Sequence, residues 1–143
     1  MSQAKGRMQR ESRAVVMSLP ITDTDDRWAP DPESVQDWPF RIPLVGLGQI
    51  TGRQGLDAET GRLVEFSMTA QVELGGRWFD VARVDTCHSE VHVHLKSYTG
   101  EEIDRKVIFP IHNPNDVDRG WVEGEKMLIA GWEEHVRRWR RGR

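Results

Sequence analysis

The sequence has very little cysteine and no long apolar run. Cys87 is the only cysteine among 143 residues, which excludes an internal disulfide framework and indicates a reducing compartment. No apolar stretch approaches the roughly 20 residues of a membrane span. The stretch from residue 14 to 21 is broken by Ser18 and Pro20 and has no signal-peptide cleavage pattern. We therefore expect a cytoplasmic protein that does not enter a membrane.

The chain also lacks a large excess of one charge. It carries 20 Lys and Arg residues against 23 Asp and Glu residues, giving a net charge of −3 and a pI near 6.0. This balance provides no bulk attraction for a polyanion such as nucleic acid. Hydrophobic residues make up only 37% of the chain, and the mean hydropathy is −0.62. The core must therefore be small, or part of the chain must lie outside it.

Residues 1–45 differ in composition from the rest of the chain. A basic beginning is followed by an acidic stretch with four prolines, at positions 30, 32, 39 and 43. Such a segment buries too little apolar surface to offset its chain entropy, so we expect an extended or partly disordered N-terminal arm. Trp28, Trp38 and Phe40 would attach this arm to the domain or to a partner. Residues 46–143 are expected to form a single domain.

Hydrophobic alternation predicts a β-meander in this domain. Residues 63–74 place six apolar side chains on one face and polar ones on the other, which is typical of a half-buried strand. Gly75 and Gly76 follow as a hairpin turn, and further strands are expected at about 77–85, 90–98 and 106–110. The glycine-containing residues 50–61 favour a turn instead.

A C-terminal helix is expected to cover this sheet. The "NPND" segment at 113–116 is typical of a helix N-cap, and apolar residues recur at helical spacing from Val117 to Trp139. The predicted fold is therefore α+β: an antiparallel β-meander of about four strands packed by a C-terminal α-helix, with an extended N-terminal arm. The arginines at the end of this helix either contact RNA backbone or form a solvated helix terminus.

Three of the five histidines fall within residues 88–94. His92 and His94 alternate with valines that should face the core, so the two imidazoles should face outward side by side, about 7 Å apart. Hydrophobic matching between the two neighbouring strands gives the register. The expected cross-strand pairs are Val84–Val91, Arg83–His92 and Asp85–Glu90. The same register places Asp80 on the core-facing side of its strand, which is compatible with a charged side chain only near the margin of the sheet.

This group suits acid–base chemistry on a phosphodiester. Paired imidazoles can transfer protons near pH 7, and an arginine can stabilise negative charge developing on phosphate. One histidine would deprotonate a ribose 2′-hydroxyl, and the other would protonate the leaving oxygen. The candidate catalytic residues are Arg83, Asp85, His88, His92 and His94, and the candidate substrate-binding residues are Lys96 and Tyr98. The hypothesis is a metal-independent ribonuclease that needs no cofactor.

Other interpretations of the same residues remain open. His92 and His94 could bind a metal ion, with His88, Asp85 or Cys87 as a third ligand, although the spacing matches no diagnostic zinc pattern. Cys87 could act as a nucleophile. Exposed strand faces are also commonly polar without any further function.

The segment "RWFDVARVDTCHSEVHVH" and the ending "WEEHVRRWRRG" resemble a group of small uncharacterised bacterial proteins. Their shared core reads R-x-D-x-x-H, a turn, then H-x-H or H-x-D, and it is similar to that of the TumE-type toxins of toxin–antitoxin systems. The resemblance covers about residues 76–140 and places Arg83, Asp85, His88, His92 and His94 at the motif positions. The sequence departs from the family pattern in two places. Val84 stands where an aromatic residue is common, and the N-terminal arm is longer and rich in proline.

The resemblance implies a toxin-like protein of a bacterial toxin–antitoxin or defence module that acts on RNA. Its N-terminal arm would bind an antitoxin or another protein partner. The alternative is a non-catalytic module whose polar sheet face and arm bind a protein or nucleic acid, and a small domain with no enzymatic site is the simplest remaining possibility.

Overall fold

The computed structural model describes residues 26–142 as one antiparallel sheet followed by two helices. A short 3-10 turn, Pro32–Ser34, precedes the sheet. The strands lie in chain order: β1 (Val35–Leu44), β2 (Gly48–Asp57), β3 (Leu63–Leu74), β4 (Arg77–Cys87), β5 (Glu90–Lys96) and β6 (Glu102–Pro110). The helices are α1 (Pro114–Ala130) and α2 (Trp132–Arg141). The α+β class and the antiparallel meander are confirmed, and the strand number is corrected from about four to six.

The two additional strands come from segments whose composition favours turns. β1 contains Pro39 and Pro43, and it lies at the edge of the sheet, where proline is tolerated because no ladder bond depends on its missing N–H group. In β2, a Cβ atom added to Gly52 would collide with the Ser67 carbonyl oxygen of β3. Proline and glycine are therefore compatible with these strands because of their positions in the sheet.

The predicted arm of residues 1–45 is corrected at its C-terminal end. β1 pairs with β2 along its whole length, and the Phe40 ring lies 5.2 Å from the Trp121 ring of α1, in an edge-on arrangement. Trp28 also packs against the core, whereas Trp38 is 55% exposed. The sheet therefore begins before the expected boundary at residue 46. Residues 1–25 lie outside the described part of the chain.

The main core lies between one face of the sheet and α1. Its fully buried side chains include Ile50, Phe66, Met68, Val84, Val91, Val117 and Leu128. Gly120 and Gly124 face the sheet, and a Cβ atom added to them would lie 2.7 Å from Val91 and 2.8 Å from Val84. These glycines weaken the helix by about 1 kcal/mol each relative to alanine, but they allow α1 to approach the sheet closely.

A β-bulge at Val81 corrects the expected position of Asp80. In the pairing of β3 with β4, Ala82 lies opposite Ala70. Asp80 lies opposite Gln71, so Val81 has no partner. Val81 and Ala82 consequently both face inward, and both are fully buried. Asp80 lies on the polar face, where the Gln71 side chain donates a 2.8 Å hydrogen bond to it.

The turns set the register of the hairpins. The β3–β4 turn at residues 75–76 has φ values of 61° and 79°, which confirms the predicted glycine hairpin. The β4–β5 turn consists only of His88 and Ser89, which both have positive φ. β4 is therefore two residues longer than expected, and its pairing with β5 shifts by two while each face is preserved. The predicted pairs are wrong, and the observed pairs are Val84–Val93, Arg83–His94 and Asp85–His92.

The single predicted helix is divided in two. Asn113 caps α1 as expected, because its side chain accepts a 3.2 Å hydrogen bond from the Asp116 backbone N–H. Gly131 separates α1 from α2. α1 contributes to the main core, whereas Trp139 of α2 joins a second buried cluster with Val81. No helix within residues 26–142 combines the length and apolar composition needed to cross a bilayer.

Candidate functional site

The face of the sheet opposite α1 carries the predicted histidine pair. His92 and His94 alternate with Val91 and Val93, which enter the core. The two imidazole centroids are 5.9 Å apart. His92 is only 1% exposed and His94 only 7%, so the expected outward-facing, accessible pair is corrected to a buried one. Polar neighbours on the same face surround both rings.

His94 lies between two carboxylates. Its Nδ1 atom is 2.7 Å from Glu102 Oε1, and its Nε2 atom is 3.2 Å from Asp85 Oδ1. Arg83 donates a 2.9 Å hydrogen bond from Nε to the other oxygen of Asp85. Arg83, Asp85, His94 and Glu102 therefore form a hydrogen-bonded chain across β4, β5 and β6.

His92 belongs to a neighbouring chain that reaches the N-terminal segment. Its Nε2 atom is 2.9 Å from Glu90 Oε1, and the second Glu90 oxygen accepts a 2.6 Å hydrogen bond from Arg27. The Arg105 guanidinium lies 3.3 Å from the same ring nitrogen. His92 Nδ1 is buried without a partner among the described residues. This network attaches the segment before β1 to β5.

The remaining predicted site residues do not all join these chains. His88 is in the exposed β4–β5 turn and lines a separate hollow with Trp28 and Cys87. Lys96 is opposite Glu102 at the end of β5, so it borders the His94 chain. Tyr98 follows β5 and lies at a different surface, against α2. Within residues 26–142, no three His, Cys, Asp or Glu side chains are arranged to hold a metal ion.

The two glutamates of these chains are held in their ionised form. The hydrogen bond from His94 lowers the pKa of Glu102 from its ordinary value of 4.5, and Lys96 and Arg105 act in the same direction. The hydrogen bond from Arg27 likewise lowers the pKa of Glu90. Both carboxylates therefore carry negative charge at neutral pH.

A second surface lies at the end of the sheet where α2 terminates, and the sequence pointed only to its C-terminal arginines. It is a cleft of about 680 Å³ lined by Leu74, Gly75, Arg77, Phe79, Tyr98, Trp139, Arg140 and Arg141. We call it the arginine cleft. The Trp139 carbonyl accepts a 3.1 Å hydrogen bond from the Tyr98 N–H, which places the Tyr98 ring, 57% exposed, beside the end of α2.

The arginines of this cleft have few anionic partners. Within residues 26–142, Arg77 and Arg140 form no ion pair, and Arg141 has only a 3.7 Å contact with Glu134. The Arg77 guanidinium lies 5.2 Å from the Phe79 ring centroid. The basic run at the end of the chain signalled part of this surface, but its proximity to Arg77 and Tyr98 depends on the fold. The cleft can therefore accept negative charge from a ligand.

The sequence profile of one family, described as a domain of unknown function (DUF7718), matches residues 44–143. The chain belongs to the DUF7718 family. The match includes β2 to β6 and both helices, so the histidine chains and the arginine cleft lie almost entirely within the DUF7718 domain, whereas Arg27 and most of β1 precede it. No curated protein and no solved structure matches the chain. The likeness to TumE-type toxins stays a prediction.

The ionisation of Glu102 should make the free energy of unfolding depend on pH in the acid range. Because its pKa is lower in the folded state, the ionised carboxylate stabilises the fold above pH 4.5, and this stabilisation is lost as the pH falls through the lowered value. In urea unfolding, the free-energy difference between the wild type and Glu102→Gln should be largest above about pH 5 and decline towards about pH 3. Glu101→Gln removes a neighbouring exposed charge and is the matched control. A difference for Glu102→Gln that does not vary with pH would contradict the lowered pKa of Glu102 and its hydrogen bond with His94.

Proposed function

We propose that this domain is a binding module that docks a polyanionic partner in the arginine cleft. The observation that carries the proposal is the convergence of Arg77, Arg140 and Arg141 on one cleft beside exposed Tyr98. Arg77 begins β4, whereas the other two arginines end α2, so the fold brings together cations that are distant in sequence. Guanidinium groups bind phosphate and carboxylate oxygens through paired hydrogen bonds.

The charge around α2 supports this proposal despite the net charge of −3. Arg138 is half-buried, donating a hydrogen bond to the Val81 carbonyl oxygen at 3.2 Å and contacting His135 Nδ1 at 2.7 Å. Burial lowers the pKa of Arg138 from 12.5, but a guanidinium still carries its charge at neutral pH. Arg138 therefore adds positive potential at the end of α2. Screening limits this potential to about 8 Å at physiological salt, so a partner must approach this end of the domain.

Binding to heparin tests the polyanion proposal without involving nucleobases. The wild-type protein should bind heparin, and Arg140→Gln/Arg141→Gln should bind more weakly and elute at lower salt. The slope of log affinity against log salt should fall by about one for each arginine that contacts the polyanion. Measurements at several salt concentrations give this slope.

The matched control is Lys106→Gln/Lys126→Gln, which removes the same charge from side chains that are 69% and 67% exposed elsewhere on the surface. It should keep most of the wild-type affinity and slope. Equal losses in both double variants would show a bulk charge effect and contradict docking at the cleft. Failure of the wild type to bind would also reject the proposal.

A ribonuclease on the polar face is the second candidate function, and the Asp85–His94–Glu102 chain favours it. Asp85 can orient the His94 imidazole, and His94 in turn contacts Glu102. Such an arrangement of two carboxylates and an imidazole suits proton transfer. The His92 and His94 side chains are 2% and 9% exposed, whereas Glu102 is 38% exposed. Glu102 would therefore take the proton from the ribose 2′-hydroxyl as this oxygen attacks phosphorus, and Arg83 would stabilise charge on the phosphate. The bond from phosphorus to the leaving 5′-oxygen would break, and water would supply the proton to that oxygen. This activity would serve a toxin-like role in a toxin–antitoxin or defence module.

Incubation of the purified protein with RNA tests this second candidate. Glu102→Gln and His94→Gln should each reduce cleavage about 100-fold, because a general base contributes that order of rate acceleration. Lys106→Gln, on the same strand as Glu102 but outside the chain of His94, should keep full activity. Circular dichroism establishes that each variant is folded. Absence of cleavage by the wild type, or full cleavage by both folded site variants, rejects the ribonuclease and leaves docking at the arginine cleft to be judged separately.

A further inference from the structure

The arginine cleft meets a second hollow at Tyr98. This second hollow has a volume of about 250 Å³, and Trp78, Asp80, Lys96 and Ser97 contribute to its lining. Phe79, Tyr98 and Trp139 line both cavities. The two hollows are therefore adjacent, with an aromatic boundary between them.

The two hollows differ in the chemistry that they offer. The arginine cleft presents three guanidinium groups. The second hollow presents Trp78, which is 40% exposed, and the exposed carboxylate of Asp80. Asp80 and Lys96 give the second hollow one charge of each sign and hence no excess of positive charge. The exposed rings of Trp78 and Tyr98 can contact an uncharged aromatic ring there. The geometry thus separates an anion-binding side from an aromatic-binding side.

We propose that the two hollows together bind a nucleotide unit of a single-stranded nucleic acid. Its base would stack on Tyr98 or Trp78, and its phosphate would contact Arg140, Arg141 or Arg77. This inference rests on the proposed polyanion-binding function and names the partner of the same cleft.

A single-stranded nucleic acid suits this surface better than an acidic protein or a duplex does. Carboxylates of an acidic protein would use the arginines and leave the faces of Tyr98 and Trp78 without partners. A duplex would present phosphates with its bases already stacked inside. A single strand presents both groups from the same chain, and stacking on aromatic side chains is its general mode of binding.

The test compares labelled oligothymidylate of about ten nucleotides with an abasic deoxyribose-phosphate oligomer of the same length and charge. We expect the wild-type protein to bind oligothymidylate about tenfold more tightly. Tyr98→Ala should remove most of this preference, and Tyr98→Phe, which keeps the ring, should retain it. Trp38→Ala is the matched control, because Trp38 is 55% exposed but lies on β1, outside both hollows.

Each outcome separates this inference from the function on which it rests. Equal affinity for the two oligomers, or a base preference that Tyr98→Ala leaves intact in a folded protein, overturns the nucleotide site and leaves polyanion docking standing. Binding of an acidic peptide as tightly as oligothymidylate favours a protein partner and also overturns it. Failure to bind oligothymidylate, the abasic oligomer and heparin rejects both proposals. Thermal unfolding of Tyr98→Ala measures whether the variant has kept its fold.

Discussion

The burial of Trp139 is the constraint on which the C-terminal surface of this domain depends. Trp139 is 3% exposed and packs with Val72 and Val81, which holds α2 against the sheet. The bulge makes this contact available, because it turns Val81 inward beside Ala82. Burial of a large apolar side chain contributes about 1.5–3 kcal/mol. Without this contact, the arginines that end α2 would not share a cleft with β4.

The two faces of the sheet use charge in different ways. On the polar face, the carboxylates have hydrogen-bonding partners: His94 lies between Asp85 and Glu102, and Glu90 joins His92 to Arg27. Removal of one partner from such a buried network leaves a charge without compensation. At the arginine cleft the cations lack comparable partners within residues 26–142. The charged groups on the polar face therefore have partners within the domain. The arginines of the cleft are the groups that an anionic partner would stabilise most.

The sequence predicted the elements that follow local rules. The alternation in β3, the glycine turn at residues 75–76 and the Asn113 cap are each determined by neighbouring residues, and all three are present. β1 and β2 could not be predicted in this way, because their prolines and glycines are explained by an edge position and by close approach to another strand. These properties exist only after the sheet has formed.

The candidate site likewise combines features that neighbouring residues determine with features that depend on the assembled sheet. Parity along β5 correctly placed His92 and His94 on one face, because successive strand residues alternate between faces. Their partners depend on register, which the two-residue turn at His88 and Ser89 shifted from the expected pairing. Their burial depends on long side chains from adjacent strands. The arginine cleft combines residues separated by about half the chain, so no local pattern could reveal its full composition.

Amide chemical-shift mapping with oligothymidylate identifies the residues of this domain that contact a single strand. We predict that the largest changes lie at residues 74–80, 96–100 and 138–142, which surround the arginine cleft and the hollow beside it. Changes concentrated around His92 and His94, or on the outer side of α1, would contradict binding at the arginine cleft. The absence of any saturable change at residues 74–80, 96–100 and 138–142 would contradict it as well.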